Sequence, residues 1–407
     1  MGIAMMREKM NREHLCCPPT IHAPHITPQR LLGVVAAVAC LAMLGCNAPP
    51  SALTAPSTRP AADTNAPAGP DGFSPEAVEK AVKKGIEYLK KSQGADGSWP
   101  AHGDYKVVPT AIATYAMLES GMIKVTNPKI KSALDWLGKR QIPVRMLRGP
   151  HPGAPATAGS TDIFCHKTYE LGLRANAFLA AMERSGTWNS PYRPFLKSDV
   201  IMLVLSTADG SYGDDCFGDG KSSGDNFNSL YGLFGVWACV QADMEVPRAY
   251  WHKVLKHWQE CQNADGGWGL AAGKPSTAMA TAGGLAAMSV CMDNLLADGY
   301  LDCKADPNGL APINHALAWM DKNLQPALAD PNGKLVSPVG LYPFLHAVQL
   351  AAQVTGRKYL GGVDWYKLGA AELLRRQRPD GSWAGKDGPH ADTAYAVFFL
   401  GGKSTPR

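Results

Sequence analysis

Two kinds of apolar segment alternate along the chain from residue 73 to the C-terminus. The first kind is amphipathic: Val78, Val82, Ile86 and Leu89 recur at helical spacing with Lys and Glu between them, which predicts a helix with one buried face. The second kind is rich in Ala and Gly and apolar on nearly all sides, which predicts a helix buried on every side. Six segments are of this second kind, namely residues 109–118, 169–182, 227–240, 277–288, 342–352 and 391–400.

A short phrase joins the two kinds of segment and recurs along the chain. It runs from Gln to Trp around a central Asp-Gly. The full copies contain Gln93, Asp96, Gly97 and Trp99, then Gln262, Asp265, Gly266 and Trp268, then Gln377, Asp380, Gly381 and Trp383, and residues 207–212 form a degenerate copy. Asp-Gly favours a turn with positive φ and Trp packs between helices, so we interpret the phrase as structural rather than catalytic.

The spacing of the phrase defines the repeat unit. Its aspartates at positions 96, 209, 265 and 380 are separated by 113, 56 and 115 residues, which correspond to two, one and two units. Two eroded copies are therefore expected, near residues 152 and 322. At the first, residues 136–141 lead into a Gly/Pro-rich stretch, and at the second, residues 319–325 lead into the Asp-Pro-Asn-Gly segment 330–333. Each unit is predicted to form an outer amphipathic helix, a turn and an inner apolar helix.

Six helix pairs can form an open solenoid or a closed ring. An open solenoid needs polar outer faces on its terminal repeats. Here the first repeat offers Ile86 and Ile112, and the last helix carries the apolar residues 397–400, so both ends have apolar surface to bury. The sequence therefore predicts an all-α fold over residues 73–407, an α/α toroid of six helix pairs and about twelve helices.

The repeat resembles a known superfamily. The Gln-to-Trp phrases, the repeat length and the Ala/Gly-rich segment 275–284 are similar to the terpenoid cyclases and protein prenyltransferases, especially the squalene-cyclase-type repeat proteins, over about residues 75–402. The resemblance implies a ring with a central cavity. In such a ring the N-terminal ends of the inner helices surround one mouth of that cavity.

The catalytic signatures of that superfamily are absent from the sequence. The cyclase Asp-x-Asp-Asp motif has no copy, because its nearest match, residues 212–215, begins with Tyr. No Asp-x-Cys zinc motif begins an inner helix, and Asp392 stands where prenyltransferases have a His ligand. The Cys-Gly-Glu-Gln string of the related thioester proteins is also missing. The resemblance therefore extends to the fold and leaves open whether the protein has an enzymatic activity.

The N-terminal segment is different in kind. Arg30 precedes the apolar run 31–44, which is too short to span a bilayer and suits a signal peptide. The run ends in Leu-Gly before Cys46, which resembles the bacterial lipobox. We expect residues 1–45 to be a lipoprotein signal peptide and residues 46–72 to be a lipidated Cys46 with a disordered Ala/Pro/Thr linker. The alternative is a plain signal peptide cleaved nearby. The protein is expected to be exported and membrane-anchored, at the periplasmic or outer-membrane face.

Charge and cysteine content exclude some functions. The net charge is +5 and the basic residues are scattered, so a nucleic-acid partner is not expected. The mature domain would keep six cysteines, at positions 165, 216, 239, 261, 291 and 303. Disulfides and buried free thiols both remain open for them. Without a Cys-x-x-Cys motif, a structural zinc site is not expected.

Polar residues near the starts of the inner helices are the candidates for a site. The catalytic candidates are Asp162, His166, Glu170, Asp225, His346 and Asp392, and the candidates for lining the ligand cavity are Asn226, Asn228, Thr277, Tyr342 and His390. Asp162, His166, Glu170 and Arg174 recur every four residues. On a helix they would form one stripe, with Glu170 and Arg174 paired to orient His166 as a general base or metal ligand. The alternative is a purely structural salt-bridged stripe.

No cofactor is predicted. The Asp-rich loop 209–225 offers oxygen ligands for calcium, but it lacks EF-hand spacing, and a solvated loop is the alternative. Two functions remain in competition. The first is a lipoprotein that binds a small apolar, glycan or peptide ligand in its ring. The second is a divergent terpenoid-cyclase-like or other enzyme that uses the polar residues at the mouth. A deep aromatic cavity would favour carbocation chemistry, and a polar funnel would favour sugars or peptides.

Overall fold

The computed structural model describes residues 74–101, 103–140, 165–186, 190–207, 209–216, 224–301, 310–329 and 340–402, with the backbone alone for 296–301 and 329. The leader, Cys46, the linker, Asp162, Cys303 and the loop segment 217–223 lie outside these ranges. In them, twelve helices are present: α1 Pro75–Ser92, α2 Val108–Glu119, α3 Pro128–Gly138, α4 Thr168–Ser185, α5 Arg193–Ser206, α6 Asn226–Gln241, α7 Arg248–Glu260, α8 Ala278–Leu301, α9 Ala311–Ala329, α10 Leu341–Val354, α11 Trp365–Arg376 and α12 Gly388–Gly401.

The remaining regular structure is one small hairpin. Strands β1 Tyr359–Leu360 and β2 Val363–Asp364 pair antiparallel between α10 and α11. The all-α prediction and the number of helices are therefore confirmed. Across the described ranges, none of the helices combines the length and apolar character needed to cross a bilayer.

Odd-numbered helices form the outer layer and even-numbered helices the inner layer. In α1 the buried residues include Val78, Val82, Ile86 and Leu89, while the lysines and glutamates between them face solvent. In α2 every residue from Val108 to Leu118 is buried. The amphipathic and all-apolar patterns of the sequence thus correspond to the two layers.

The inner layer closes on itself. Each inner helix packs against the next in chain order, and α12 packs against both α1 and α2. At this joint the rings of Tyr115 and Phe398 lie 4.6 Å apart, and Gln377 Nε2 donates to the carbonyl of Ala81 at 2.9 Å. The closed toroid expected from the apolar ends is confirmed.

Each phrase forms the turn between an outer helix and the following inner helix. In the first copy Asp96 Oδ1 accepts the N–H of Ser98 at 3.0 Å, and Gly97 has φ 92°. Trp99 is buried, and its indole N–H donates to the carbonyl of Leu89, one of the last residues of α1. Its backbone N–H donates to the Thr110 hydroxyl in α2. The phrase therefore fastens the end of one helix to the start of the next. The same indole and backbone bonds recur at Trp268 and Trp383.

The glutamine of each full phrase also joins neighbouring units. Gln93 Nε2 donates to its own turn at Gly97 and to Lys129 in α3, the outer helix of the next unit. Gln262 bonds Pro312 in α9 in the same way. In the degenerate copy Thr207 Oγ1 donates to Ser211 within the turn. We call the bond from a phrase glutamine to the adjacent outer helix a unit joint.

The turns of both eroded copies lie outside the described ranges. This holds for the position near residue 152 and for residues 330–333 of the second copy. Of that second copy the structure describes the preceding helix, α9, which contains residues 319–325 and continues to Ala329. The apolar positions of α9, among them Trp319 and Leu324, keep their helical spacing through this point and are buried, which explains why the helix continues.

Candidate functional site

The inner helices all begin at the phrase end of the ring, which we call the mouth. One to two turns below it, four buried side chains from α4, α6, α10 and α12 meet on the ring axis. Tyr231 OH lies 3.1 Å from Tyr395 OH and 3.1 Å from His346 Nδ1, and Tyr169 OH bonds Tyr395 OH. We call these four residues the axial layer. All four are almost fully buried, and their hydroxyl and imidazole groups bond one another across the ring of inner helices.

The axial layer is uncharged at neutral pH. Burial lowers the pKa of His346 to about 3, and burial raises the pKa of Tyr169 and Tyr395 well above the usual value of a phenol. A neutral imidazole that accepts from Tyr231 at Nδ1 carries its proton at Nε2. The layer can therefore orient hydrogen bonds, but it supplies neither a strong acid nor a base.

A second set of side chains lies one turn nearer the mouth on the same helix faces. Asn228, Tyr342 and Asp392 precede Tyr231, His346 and Tyr395 by three or four residues, so each stands above its partner. We call these three residues the mouth layer. Tyr342 and Asp392 both flank Gly385, where an added Cβ would lie 2.8 Å from the Tyr342 ring and 3.5 Å from Asp392 Oδ2.

The mouth layer contains two buried oxygen atoms without a hydrogen-bond donor. Asp225 accepts the backbone N–H and the side-chain N–H of Asn228, both at 2.8 Å, which leaves Asn228 Oδ1 for another donor. Asp392 Oδ2 accepts the N–H of Gly385 at 2.6 Å, which leaves Asp392 Oδ1. Neither remaining oxygen has a partner within the described ranges. Asn228 is 4% exposed and Asp392 0% exposed, so bulk water does not solvate them.

Asp392 is also a titratable group at neutral pH. Burial raises its pKa to about 7, although the N–H of Gly385 acts in the opposite direction. Burial, with a smaller effect from Asp392, raises the pKa of Tyr342 to about 12. The carboxyl group of Asp392 can therefore gain or lose its negative charge near physiological pH.

Three predicted cavity residues are directed to neighbouring elements. Asn226 bonds the carbonyl of Gly269 and the imidazole of His257. Thr277 caps the start of α8 through its hydroxyl and accepts the N–H of Ala280 at 3.3 Å. His390 stacks on Tyr88 of α1 with ring centroids 5.8 Å apart. These contacts hold helix ends and the outer layer in place. At the start of an inner helix they are needed because the first backbone N–H groups have no partner within the helix.

The predicted four-residue stripe is wrong. Helix α4 begins at Thr168, so His166 precedes the helix and instead lies 3.2 Å from Asp215. Glu170 accepts the N–H of Val107 at 2.7 Å and does not pair with Arg174. Residues 166–168 form an extended pairing with residues 214–216, through Cys216 N–H to His166 O and Thr168 N–H to Asp214 O. This pairing occupies the backbone that a longer helix would need.

Arg174 pairs with Asp199 of the outer layer and not with Glu170. Its guanidinium is fully buried, and Nη1 lies 3.2 Å from Asp199 Oδ1 of α5. Burial raises the pKa of Asp199 to about 7, although the charge of Arg174 acts to lower it. The pair joins the inner helix of one unit to the outer helix of the next and is therefore assigned to the scaffold.

The mouth also has an acidic rim on the side of α2 and α4. Tyr105 OH donates to Asp214 at 2.9 Å, and Lys167 bonds Asp214 and lies 3.6 Å from Asp215. Burial raises the pKa of Glu170 to about 7, while the N–H of Val107 and the charge of Lys167 lower it. Among the described residues, no three His, Cys, Asp or Glu side chains are grouped so that they could hold a metal ion. The centre of the Asp-rich loop 209–225, considered as a calcium site, lies outside the described residues.

Sequence reasoning missed the hydroxyls of the axial layer and the basic residue of the rim. Tyr169, Tyr231 and Tyr395 lie within apolar inner segments, and Tyr231 and Tyr395 share their helix faces with Asn228 and Asp392. Nothing in the sequence indicates that Lys167 belongs to the site, except that it directly precedes α4. The cysteines at 165, 216, 239, 261 and 291 are buried free thiols.

Comparison with known proteins extends the description of the fold. No family profile and no curated protein matches the sequence. An unsaturated glucuronyl hydrolase specific for heparin aligns with a TM-score of 0.53 at 11% identity over 80% of this chain and 96% of its own. An inactive variant of the α-1,6-mannanase of Salegentibacter sp. HEL1_6, in complex with α-1,6-mannotriose, aligns with a TM-score of 0.52 at 10% identity over 80% and 99%.

A variant of the type II terpene cyclase MstE from Scytonema aligns at 13% identity over 80% of this chain and 97% of its own, with a TM-score of 0.48. Identities this low describe architecture and carry no statement about activity. All three alignments cover most of the chain. The structure, together with the two likenesses whose TM-scores exceed 0.5, establishes that the chain has the α/α toroid fold.

Proposed function

We propose that the mature protein is an exported lipoprotein, anchored through Cys46, whose toroid binds a polar ligand at the mouth of the ring. The observation that carries this proposal is the pair of buried, unpaired oxygens of Asn228 and Asp392. Leaving a buried acceptor unpaired costs about 1–3 kcal/mol. Hydrogen-bond donors of a bound ligand would recover that free energy.

The closed axial layer favours a polar ligand over an isoprenoid. A long polyene needs a deep apolar cavity, whereas Tyr169, Tyr231 and Tyr395 meet on the axis one turn below the mouth layer. A sugar or a peptide end needs only a shallow polar site. Two structural neighbours are a hydrolase specific for heparin and a mannanase in complex with α-1,6-mannotriose, which makes oligosaccharides suitable first probes.

Hydrolysis of a glycan is the second candidate. Glu170 and Asp392 have pKa values raised to about 7, so each is partly protonated at neutral pH. Glycosidases use one protonated and one ionised carboxyl group on either side of the scissile bond. This activity would appear as new reducing ends when heparin or α-1,6-mannan is incubated with the protein.

Ligand binding is tested by native mass spectrometry of the full protein purified from its own membranes. We expect wild type to carry a polar molecule and Asp392→Asn to lose it, because the substitution turns the unpaired acceptor into a donor. Glu260→Gln is the matched control, since that carboxylate is exposed on α7. An empty wild-type ring, or a bound isoprenoid, would contradict the proposal.

The anchor is tested separately. Replacing Cys46 with Ser removes the thiol that would be acylated, and the expected result is complete release of the protein from sedimented membranes into the soluble exported fraction. Immunoblotting of both fractions measures it, with Cys40→Ser as the control because that residue precedes the proposed cleavage site. Persistent membrane association of Cys46→Ser would show that acylation at this position does not hold the protein.

A further inference from the structure

A thiol, an imidazole and an amide are in contact at the end of α7, in the outer layer. Cys261 directly follows α7, and its backbone N–H donates to the carbonyl of His257 at 3.0 Å. The helical spacing of four residues puts both side chains on one face, where Cys261 Sγ lies 3.6 Å from His257 Nδ1. His257 Nε2 lies 3.1 Å from Asn226 Oδ1 at the start of α6. The imidazole is thus held between a thiol and an amide oxygen.

The contacts of Asn226 determine which nitrogen of His257 carries the proton. Asn226 donates its side-chain N–H to the carbonyl of Gly269 at 2.9 Å and its backbone N–H to the carbonyl of Leu270 at 2.6 Å. Its amide oxygen is therefore the atom that faces His257, and Nε2 of the ring is the donor. In the neutral ring Nδ1 is then an acceptor. Cys261 donates to this acceptor, so His257 is in position to take up the thiol proton.

The thiol of Cys261 needs this base to react at neutral pH. Burial, together with the charges of Glu260 and Asp209, raises the pKa of Cys261, so the thiol is protonated. Burial lowers the pKa of His257, while the charges of Asp209 and Glu260 act in the opposite direction. The imidazole is therefore neutral at pH 7, and the two carboxylates stabilise the imidazolium that forms when it accepts a proton. A cysteine with a base in this position is an activated nucleophile.

The exposure of Cys261 selects a small reactant. Cys261 and Cys216 are each 8% exposed, whereas the other three described cysteines are at most 1% exposed. Beside Cys261 the imidazole of His257 is only half-buried, so a small molecule can reach the pair from solvent. Cys216 Sγ instead lies 3.5 Å from the hydroxyl of Thr168, which is not a base at neutral pH. Cys216 therefore provides an equally exposed thiol for comparison.

We infer that Cys261 is a site of S-thiolation, at which a small disulfide exchanges with the thiol and His257 acts as the base. His257 Nδ1 takes the proton of Cys261 as the sulfur attacks one sulfur of the small disulfide. The S–S bond of the reactant breaks while the mixed disulfide with Cys261 forms. The leaving thiolate takes the proton from His257 and departs as a thiol. Cys261 is oxidised and the departing half of the reactant is reduced. This site is separate from the ligand site proposed at the mouth.

The experiment incubates the full protein with 2-hydroxyethyl disulfide, which is uncharged. Peptide mass spectrometry after an acid quench measures the rate of modification at each cysteine. At pH 7 we expect modification of Cys261 to be at least about tenfold faster than that of Cys216. From pH 7 to pH 8 the rate at Cys216 should rise about tenfold, because only its thiolate reacts. The rate at Cys261 should rise about threefold at most, because His257 is already neutral at pH 7.

Substitution of the imidazole and of the amide tests their two roles. His257→Gln should lower the rate at Cys261 at least about tenfold at pH 7 and less at pH 9, where hydroxide ionises the thiol. His252→Gln is the matched control, since that imidazole is exposed on the same helix, and it should leave the rate unchanged. Asn226 is a positioning residue that acts through His257. In Asn226→Ala the rate at Cys261 should fall and should rise with pH as steeply as the rate at Cys216.

Three results would overturn the inference. The first is modification of Cys261 no faster than that of Cys216 in wild type. The second is a rate at Cys261 that rises as steeply with pH as the rate at Cys216, since that thiol would then react without a base. The third is an unchanged rate in a folded His257→Gln variant. Far-UV circular dichroism reports whether each variant folds, and the two wild-type comparisons require no substitution.

Discussion

Arg174→Met is expected to destabilise the toroid by about 3–5 kcal/mol, because it leaves the carboxyl group of Asp199 buried without its cation. The two side chains are 0% and 2% exposed, and Nη1 lies 3.2 Å from Oδ1. Water cannot replace the guanidinium in this position. Methionine fills a similar volume, so the loss reports the uncompensated acid and not an empty cavity.

The stability lost in Arg174→Met should increase as the pH rises. Even beside Arg174, burial raises the pKa of Asp199 to about 7 from its ordinary value of 3.8. An acid whose pKa is higher in the folded state weakens folding as pH rises from its unfolded value through its folded value. Without Arg174 the folded pKa rises further. Arg174→Met should therefore be less destabilising at pH 5 than at pH 8.

Urea unfolding followed by tryptophan fluorescence at pH 5 and pH 8 measures both effects. Lys197→Met on the exposed face of α5 is the control and should change stability little. The double variant Arg174→Met with Asp199→Leu should recover most of the stability lost in the single variant, since it buries no charge. A double variant as unstable as Arg174→Met would show that the cost comes from packing.

Gly172→Ala is expected to cost about 3 kcal/mol, although alanine normally stabilises the middle of a helix. A Cβ at Gly172 would lie 2.2 Å from the carbonyl oxygen of Tyr231, a backbone atom that cannot rotate away. Asn176 bridges the same two helices through the carbonyls of Gly172 and Phe234. The methyl group would therefore push α4 from α6 and pull Tyr231 out of the axial layer.

Gly283→Ala provides the matched control. Gly283 also lies in an inner helix, α8, but the nearest atom to its added Cβ is a side-chain carbon of Leu230 at 3.2 Å, which can move. Thermal unfolding should show a lower midpoint for Gly172→Ala and an unchanged or slightly higher midpoint for Gly283→Ala. Equal midpoints for the two variants would mean that α4 and α6 are not in the close contact described.

The scaffold was predictable because its signals are local. The Asp-Gly turns and the all-apolar inner segments each act within a few residues, and the apolar ends required closure. The four-residue spacing from Asp162 to Arg174 failed as a guide because it assumed one continuous helix. The extended pairing of residues 166–168 with residues 214–216 starts α4 at Thr168 instead, and a pairing between segments so far apart in sequence leaves no local pattern.

The site was predictable only in part. The position of polar residues at inner-helix starts singled out Tyr342 and Asp392, which lie together beside Gly385. It could not distinguish them from Asn226, Thr277 and His390, which bond neighbouring elements. The axial layer depends on ring closure, since the bonded hydroxyls of Tyr169 and Tyr395 are 226 residues apart in the chain. A tyrosine within an apolar segment gives no sign of which hydroxyl it will meet.

The unit joints make the contact between the last and first units equivalent to the contacts between units inside the chain. Gln377 bonds Ala81 of α1 at 2.9 Å, as Gln93 bonds Lys129 and Gln262 bonds Pro312. The joint between the last unit and the first is thus made in the same way as joints inside the chain. Circular permutation, in which the old ends are linked and a new break is placed between two other units, would preserve every one of these bonds. Within the toroid, the order of the units around the ring defines the architecture, and the unit joints do not depend on where the chain is interrupted.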